Sequence, residues 1–400
     1  MAHTDLEQEA DAAGRERSAG RVLYLYAQVL RAQSRHARRT FQVLALMKRA
    51  GLEVELLTLP GGDPWPAGLV TRVYRAGYLP LARHLPLYGH GPLRVWATVL
   101  MTLSAIRLYL TRPYAAIHCA DRTIRVGAFV AWLFRARFVF EWRTESGFSL
   151  EQWAKRRSTR FLKSVSLVLN DVPVGVAQLR RSRLCGRVAY LPTLPAPWAQ
   201  PLPLPAVRLG GTAQVFTLAV FSAQAQLEDL SPLVEALPAV YRQTEALRVQ
   251  IYGGTARARE RLGAALNEAL PTAANVQLHP LPAPGAAMEQ TLAAADAVFC
   301  PAQSGPEPLP WVLDAMASRR AVIAIRCPAM EALAGAGVLL VSGESRAIAE
   351  AIEQVMAAPF WCVERAWAAE EWVRQERSAE AVAETLRGCY AFALRRSGRA

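Results

Sequence analysis

Between Gly305 and Ala324 the chain reads GPEPLPWVLDAMASRRAVIA, a proline-rich loop with Glu307 that runs into a helical pattern carrying Asp314. The first turn of a helix leaves its N–H groups without intrahelical partners, so a loop feeding it is a site for an anion or a hydroxyl. Proline has no N–H, and Pro308 and Pro310 leave the N–H of Leu309 standing between two lost donors. His118 and Asp121, in IHCADR, sit just past a predicted strand. An imidazole or carboxylate there can orient an acceptor hydroxyl, or serve as a structural hydrogen-bond partner. Gly253 and Gly254, after VQIY, fit a strand-to-helix turn at which a nucleotide base or phosphate can approach the backbone.

Other chemistries have no such footing. The chain has no G-x-S-x-G, no H-E-x-x-H, no P-loop and no complete dinucleotide-binding glycine fingerprint. Its six cysteines lie far apart, without C-x-x-C and without histidine at ligand spacing, which predicts buried free thiols in a reducing cytoplasm and no metal site. The formal net charge of +13 comes almost entirely from arginine, whose planar fork suits phosphate. No aromatic-basic motif accompanies that charge, so a nucleic-acid partner is not expected. The opening residues 1–20 are polar and acidic with no apolar segment, and read as a disordered tail.

The elements that must position these residues alternate short β-rich runs with helical patterns, the sign of parallel sheets joined by crossover helices. Strands are predicted at 21–26, 53–58, 69–75, 115–119, 137–141, 166–170 and 187–191, and helices between most of them. ARRTFQVLALMKRAG is one such helix and ends on the cap-like Gly51. LPTLPAPWAQPLPLPAVRLGG, residues 191–211, is too rich in proline for helix or central strand and reads as a semi-rigid linker. The alternation then restarts with AQVFTLAVF, LRVQIY, VQLH, AVFC, AVIAI and GVLLV.

The expected architecture is α/β: two doubly wound Rossmann-like domains facing a cleft. The first spans 21–190 on the acceptor side and the second 212–358 on the donor side. Helices over 359–400 would pack back toward the first. Open α/β sheets bind ligands at the carboxyl ends of their strands, so two such edges make the cleft a site. The apolar stretch PLRVWATVLMTLSAIRLYL, 92–110, with Arg94 and Arg107 near its ends, is either a buried core helix or an interfacial helix docking on a bilayer. No apolar run is long enough to span one, so the expected location is the cytoplasm, at most at the inner face of a membrane.

AAADAVFCPAQSGPEPLPWVLDAMASRRAVIAI resembles, in order and spacing, the donor half of GT-B glycosyltransferases of the family-four type. In that family a strand leads to a Ser-containing loop with Glu-Gly-Phe-Gly or Glu-Pro-Phe-Gly, then to a helix with Glu-Ala-Met-Ala and to Gly-x-Pro-Val-Val-Ala. YAAIHCADR and RFVFEWRTESG in the first half are similar to the family's Asp-x-Ile-His and to a strand ending near a histidine. The resemblance implies transfer of a sugar from a nucleotide-diphosphate sugar to a saccharide or lipid-linked saccharide acceptor, with retention and without a metal or other cofactor. Polysaccharide or glycoconjugate synthesis would be the setting, with a peripheral membrane contact.

It also implies roles. Asp314 stands where the family's second glutamate takes the ribose hydroxyls, Glu307 matches the first glutamate with one residue missing between (a register without the gap places Pro306 there instead), and Ser304 lies in the preceding loop. Leu309 and Gly253 complete the donor side. The family's two donor cations, an arginine after Gly and a lysine before Gly, are absent: Ser222-Ala223 and Leu227-Glu228 stand there. Arg143, where relatives have the histidine facing the donor, and Arg35, Arg38 and Arg39, at the loop that approaches the diphosphate, are the expected substitutes. A fold that lost these cations without replacement would instead be a catalytically degenerate scaffold or regulatory partner in polysaccharide synthesis.

Overall fold

The computed structural model describes residues 20–26, 35–59, 65–76, 92–120, 123–143, 165–170, 176, 188–196, 199–204, 215–222, 227–270, 274–283, 285–301, 310–331 and 333–395. Two compact units divide the chain, residues 1–193 with 379–400, and residues 194–378.

The first unit runs β1 (Arg21–Tyr26), α1 (Arg35–Arg49), β2 (Glu53–Thr58), β3 (Arg72–Arg75), α2 (Pro92–Thr111), β4 (Ala116–Ala120), α3 (Ile124–Phe134), β5 (Arg137–Trp142), β6 (Val165–Asn170) and β7 (Val188–Tyr190). The second runs β8 (Phe216–Ser222), α4 (Leu227–Gln243), β9 (Leu247–Gly253), α5 (Ala256–Ala269), β10 (Asn275–His279), α6 (Ala286–Ala294), β11 (Ala297–Cys300), α7 (Pro310–Ala317), β12 (Ala321–Ile325), α8 (Pro328–Glu331), β13 (Leu339–Val341), α9 (Ser345–Ala357) and α10 (Pro359–Glu376). A last helix, α11 (Ala379–Arg395), belongs to the first unit.

The inner strands fall on runs that the sequence marks as apolar, while the edge strands β3 (RVYR) and β10 (NVQLH) are more polar and less buried. The apolar runs form strands here because both faces of each sheet are covered, so nearly every position can be apolar. In β8 every residue is buried. Among the described residues all strand pairings are parallel. The strand order is β3-β2-β1-β4-β5-β6-β7 in the first sheet and β10-β9-β8-β11-β12-β13 in the second. Both sheets are therefore doubly wound, with the order reversing between β1 and β4 and between β8 and β11.

Close helix-to-sheet packing is visible at Gly127 of α3, where an added Cβ would lie 2.0 Å from Cys119 Sγ and 2.8 Å from Phe138. Gly51 ends α1 with φ +81, as its position predicts. The proline-rich stretch is gripped within each unit: Arg39 donates to the carbonyls of Leu191 (2.7 Å) and Pro192 (2.9 Å) in the first. In the second, Ala196 donates its N–H to Asp314 (2.7 Å), and Arg320 donates to the Pro203 carbonyl (2.9 Å).

The apolar stretch 92–110 forms α2 and is only half a core helix. Ala97, Met101 and Ala105 are buried, while Val95, Trp96, Val99, Leu103 and Leu110 are exposed. Among the described residues no helix is long and apolar enough to cross a membrane. Cys119 and Cys300 are buried free thiols, and Cys327, Cys362 and Cys389 are free and partly buried.

Candidate active site

The carboxyl edge of each sheet, at its reversal point, is where a doubly wound fold binds its ligands. In the first unit that edge follows Tyr26 of β1 and Ala120 of β4, and in the second Ser222 of β8 and Cys300 of β11. Asp121, Ser304, Glu307 and Leu309 belong to the segments after these strands and lie outside the described residues. Arg35 opens α1, and its side chain is likewise outside them.

Three of the expected residues, Arg39, Arg143 and His118, meet at one carboxylate. Glu141 of β5 is 1% exposed and accepts two hydrogen bonds from Arg143, from Nε at 3.0 Å and Nη2 at 3.1 Å. Arg39 of α1 donates from Nε at 3.2 Å, and the Tyr24 hydroxyl of β1 donates at 3.2 Å. Arg143 also donates to Thr40 Oγ1 (3.0 Å) and to the Tyr24 hydroxyl (3.1 Å). His118 Nε2 stands 3.6 Å from Glu141, beyond ordinary hydrogen-bond length, while its Nδ1 lies 2.5 Å from the Tyr390 hydroxyl of α11. A Tyr390 hydroxyl that donates to Nδ1 leaves the imidazole proton on Nε2, aimed at the carboxylate.

The electrostatics follow from burial and partner. Burial pushes the Glu141 carboxyl upward, but Arg143, His118 and Arg39 outweigh it and hold it well below the carboxylate range. Burial lowers the His118 imidazole, and Glu141 opposes that only in part, so His118 is neutral. Burial, then Glu141, push the Tyr390 hydroxyl far up. Among the described residues the cluster thus holds two guanidiniums against one carboxylate.

Two expectations change as a result. Arg143 is expected to meet donor phosphates directly, but it is 3% exposed and its guanidinium is engaged with Glu141, Thr40 and Tyr24. His118 is expected to face an acceptor, but within β4 it is fully buried and covered by Tyr390. In both cases a buried charge or imidazole needs a partner more than it needs an edge. As described, Arg39, Arg143 and His118 position β1, α1, β4 and β5 beneath the carboxyl edge. Sequence reading missed Glu141, although an acid inside the otherwise apolar FVFEW is itself a sign of a buried ion pair.

In the second unit, Asp314 falls in the second turn of α7, within the helix that its pattern predicts. It is 1% exposed, with Oδ1 accepting the Ala196 N–H. Gly253 and Gly254 form the expected turn, with φ of +136 and +66, ahead of the α5 cap Thr255, whose hydroxyl accepts the Ala258 N–H. Positive φ at two successive residues is why glycine stands at both. Arg259, unforeseen in the sequence, reaches back from α5 to the carbonyls of Gly253 (3.2 Å) and Gly254 (2.6 Å). It brings a guanidinium to the carboxyl end of β9. Beside it, Phe221, Tyr252 and His279 stack across the ends of β8, β9 and β10, with centroids 5.3 and 5.1 Å apart.

Comparison with solved structures agrees with this architecture over nearly the whole chain. A glycosyltransferase from Rickettsia africae superposes with a TM-score of 0.69 at 13% identity, over 94% of this chain and 99% of that one. Sucrose-phosphate synthase from Thermosynechococcus elongatus gives 0.66 at 18%, over 93% and 98%. Anabaena HepE, solved with UDP and glucose, gives 0.65 at 16%, over 93% and 99%. The chain has the GT-B fold. No match was found among curated protein sequences. Residues 215–358 match the family model described as Glycosyl transferases group 1.

Proposed function

We propose that the protein is a glycosyltransferase that moves a sugar from a nucleotide-diphosphate sugar to a hydroxyl of a saccharide acceptor, free or lipid-linked, in polysaccharide or glycoconjugate synthesis. The observation that carries the reading is the group 1 match over 215–358, which covers the whole of the second sheet with its β8–β11 reversal point. Similar structures solved with UDP and glucose, or with UDP-glucose, make a uridine donor the first to try. In this reading transfer proceeds with retention and without a metal, in the cytoplasm.

The residues divide by unit. Asp314 and Glu307 hold the donor's hydroxyls, with Ser304, Leu309 and Gly253 beside them. Arg259 is the candidate counter-charge for the diphosphate, whereas Arg39, its guanidinium spent on Glu141, Leu191 and Pro192, joins Arg143 and His118 in holding the strands of the first unit in place. Asp121 faces the acceptor. Electrostatic stabilisation of the departing diphosphate is the main term in such a transfer, so a cation must take the place left by Ser222 and Leu227.

Thermal unfolding with UDP and UDP-sugars tests donor binding, because a ligand that binds the folded state raises its melting temperature by mass action. Release of UDP in the presence of acceptor oligosaccharides tests transfer. A second reading has one observation behind it: Asp314 is buried and holds the Ala196 N–H, as a structural carboxylate would. A non-catalytic scaffold keeping that contact predicts no shift with any nucleotide and no UDP release.

A further inference from the structure

α2 and α3 pack side by side on one face of the first sheet. Their buried sides carry Ala97, Met101, Ala105, Val126 and Val130, and their outer sides are unusually apolar. On α2, Trp96, Val99, Leu103 and Leu110 are exposed at helical spacing, and on α3 so are Phe129 and Trp132. Large apolar side chains gathered on a surface mark a contact, since single exposed ones are ordinary and a contiguous set is not. Such a set fits a surface that would cover it.

Charge identifies what does. From Pro92 to Phe140 the sequence holds seven arginines (Arg94, Arg107, Arg112, Arg122, Arg125, Arg135, Arg137) and one acid, Asp121. Arg107, Arg125 and Arg135 are exposed on the same two helices or just beyond their ends. Tryptophan, leucine and phenylalanine ringed by arginine are what an anionic bilayer surface accepts: the apolar side chains enter the headgroup boundary and the guanidiniums meet lipid phosphates. A second copy fits poorly, because a two-fold contact would bring arginine against arginine with no acid on either helix to answer it.

We infer that the outer face of α2 and α3 is a docking surface for anionic membrane. The inference is independent of the sugar-transfer reading, since vesicle binding is its readout. The full chain should float with vesicles of equal parts phosphatidylglycerol and phosphatidylcholine, and bind pure phosphatidylcholine far less. Leu103→Glu with Trp132→Glu should weaken binding by more than about tenfold. Arg107→Ala and Arg125→Ala, surface changes that leave the core intact, should each weaken it about fivefold. Failure to float, equal binding to neutral vesicles, or full binding by the arginine variants overturns the inference. So does a dimer in solution that the Leu103→Glu, Trp132→Glu variant dissociates, which would make a second copy the occupant.

Discussion

Replacing Glu141 by Gln keeps the size of the side chain and removes one negative charge from the contact with Arg39, Arg143, Tyr24 and His118. Glu141 is 1% exposed, so no water replaces what is lost. Two guanidiniums within 3.2 Å would then share one neutral amide, and at most one of them could donate to each of its lone pairs. Removing one partner of a buried ion pair costs about 3–5 kcal/mol, chiefly because the other charge is stranded. Arg143→Met leaves Arg39 opposite Glu141 and should therefore cost less than Glu141→Gln even though it deletes the hydrogen bonds to Glu141, Thr40 and Tyr24. The pH dependence has a defined sign. A carboxyl depressed in the folded state contributes stability that is present above its ordinary value of 4.5 and lost as pH falls through the folded value. The variant lacks this contribution, so the gap between the two proteins should be full at pH 7 and shrink below about pH 4.5. Hydrogen exchange in β4 and β5 reads the first unit separately from the second. A loss under about 1 kcal/mol at pH 7, a gap that does not change with pH, or Arg143→Met costing more than Glu141→Gln would refute the assignment of Glu141 as the anchor of this cluster.

Asp314→Asn keeps an acceptor for the Ala196 N–H but removes the charge. If the carboxylate also takes ribose hydroxyls, calorimetry should show UDP binding weakened roughly 10- to 100-fold with little change in melting. Arg259→Ala should reduce donor binding in the same assay, while Lys at that position should restore part of it. His118→Asn tests the acid limb above that of Glu141. A buried imidazole with a lowered value contributes stability present above pH 6.5 and lost as pH falls through its folded value, and the variant's melting curve should be flat there. Gly337→Ala should destabilise the second unit by more than about 2 kcal/mol in a denaturant titration, since φ is +81. Its Cβ would also lie 2.4 Å from the Arg365 carbonyl oxygen of α10.

The strands, their order of appearance and the switch from sheet to helix were legible in the sequence. A strand buried on both faces must be written as an apolar run, and a glycine with positive φ must be glycine, so RVLYLY, FTLAVF and the Gly253-Gly254 turn declare themselves locally. The two helices after residue 358 read as one set in the sequence, yet α10 belongs to the second unit and α11 to the first. No local signal separates them, because each is defined by the sheet it covers. What the site residues touch was equally out of reach. Arginine in WRTESG and histidine in IHCA have the same letters whether they face a phosphate or a carboxylate. That choice was made by Glu141, Tyr24 and Tyr390, which lie up to 272 positions away and come into range only when the parallel sheet closes and α11 lies across it. Residue types fix which interactions a chain can make; the tertiary fold fixes which of them are made, because burial forces every charge to find its partner among whatever the topology brings within about 3 Å.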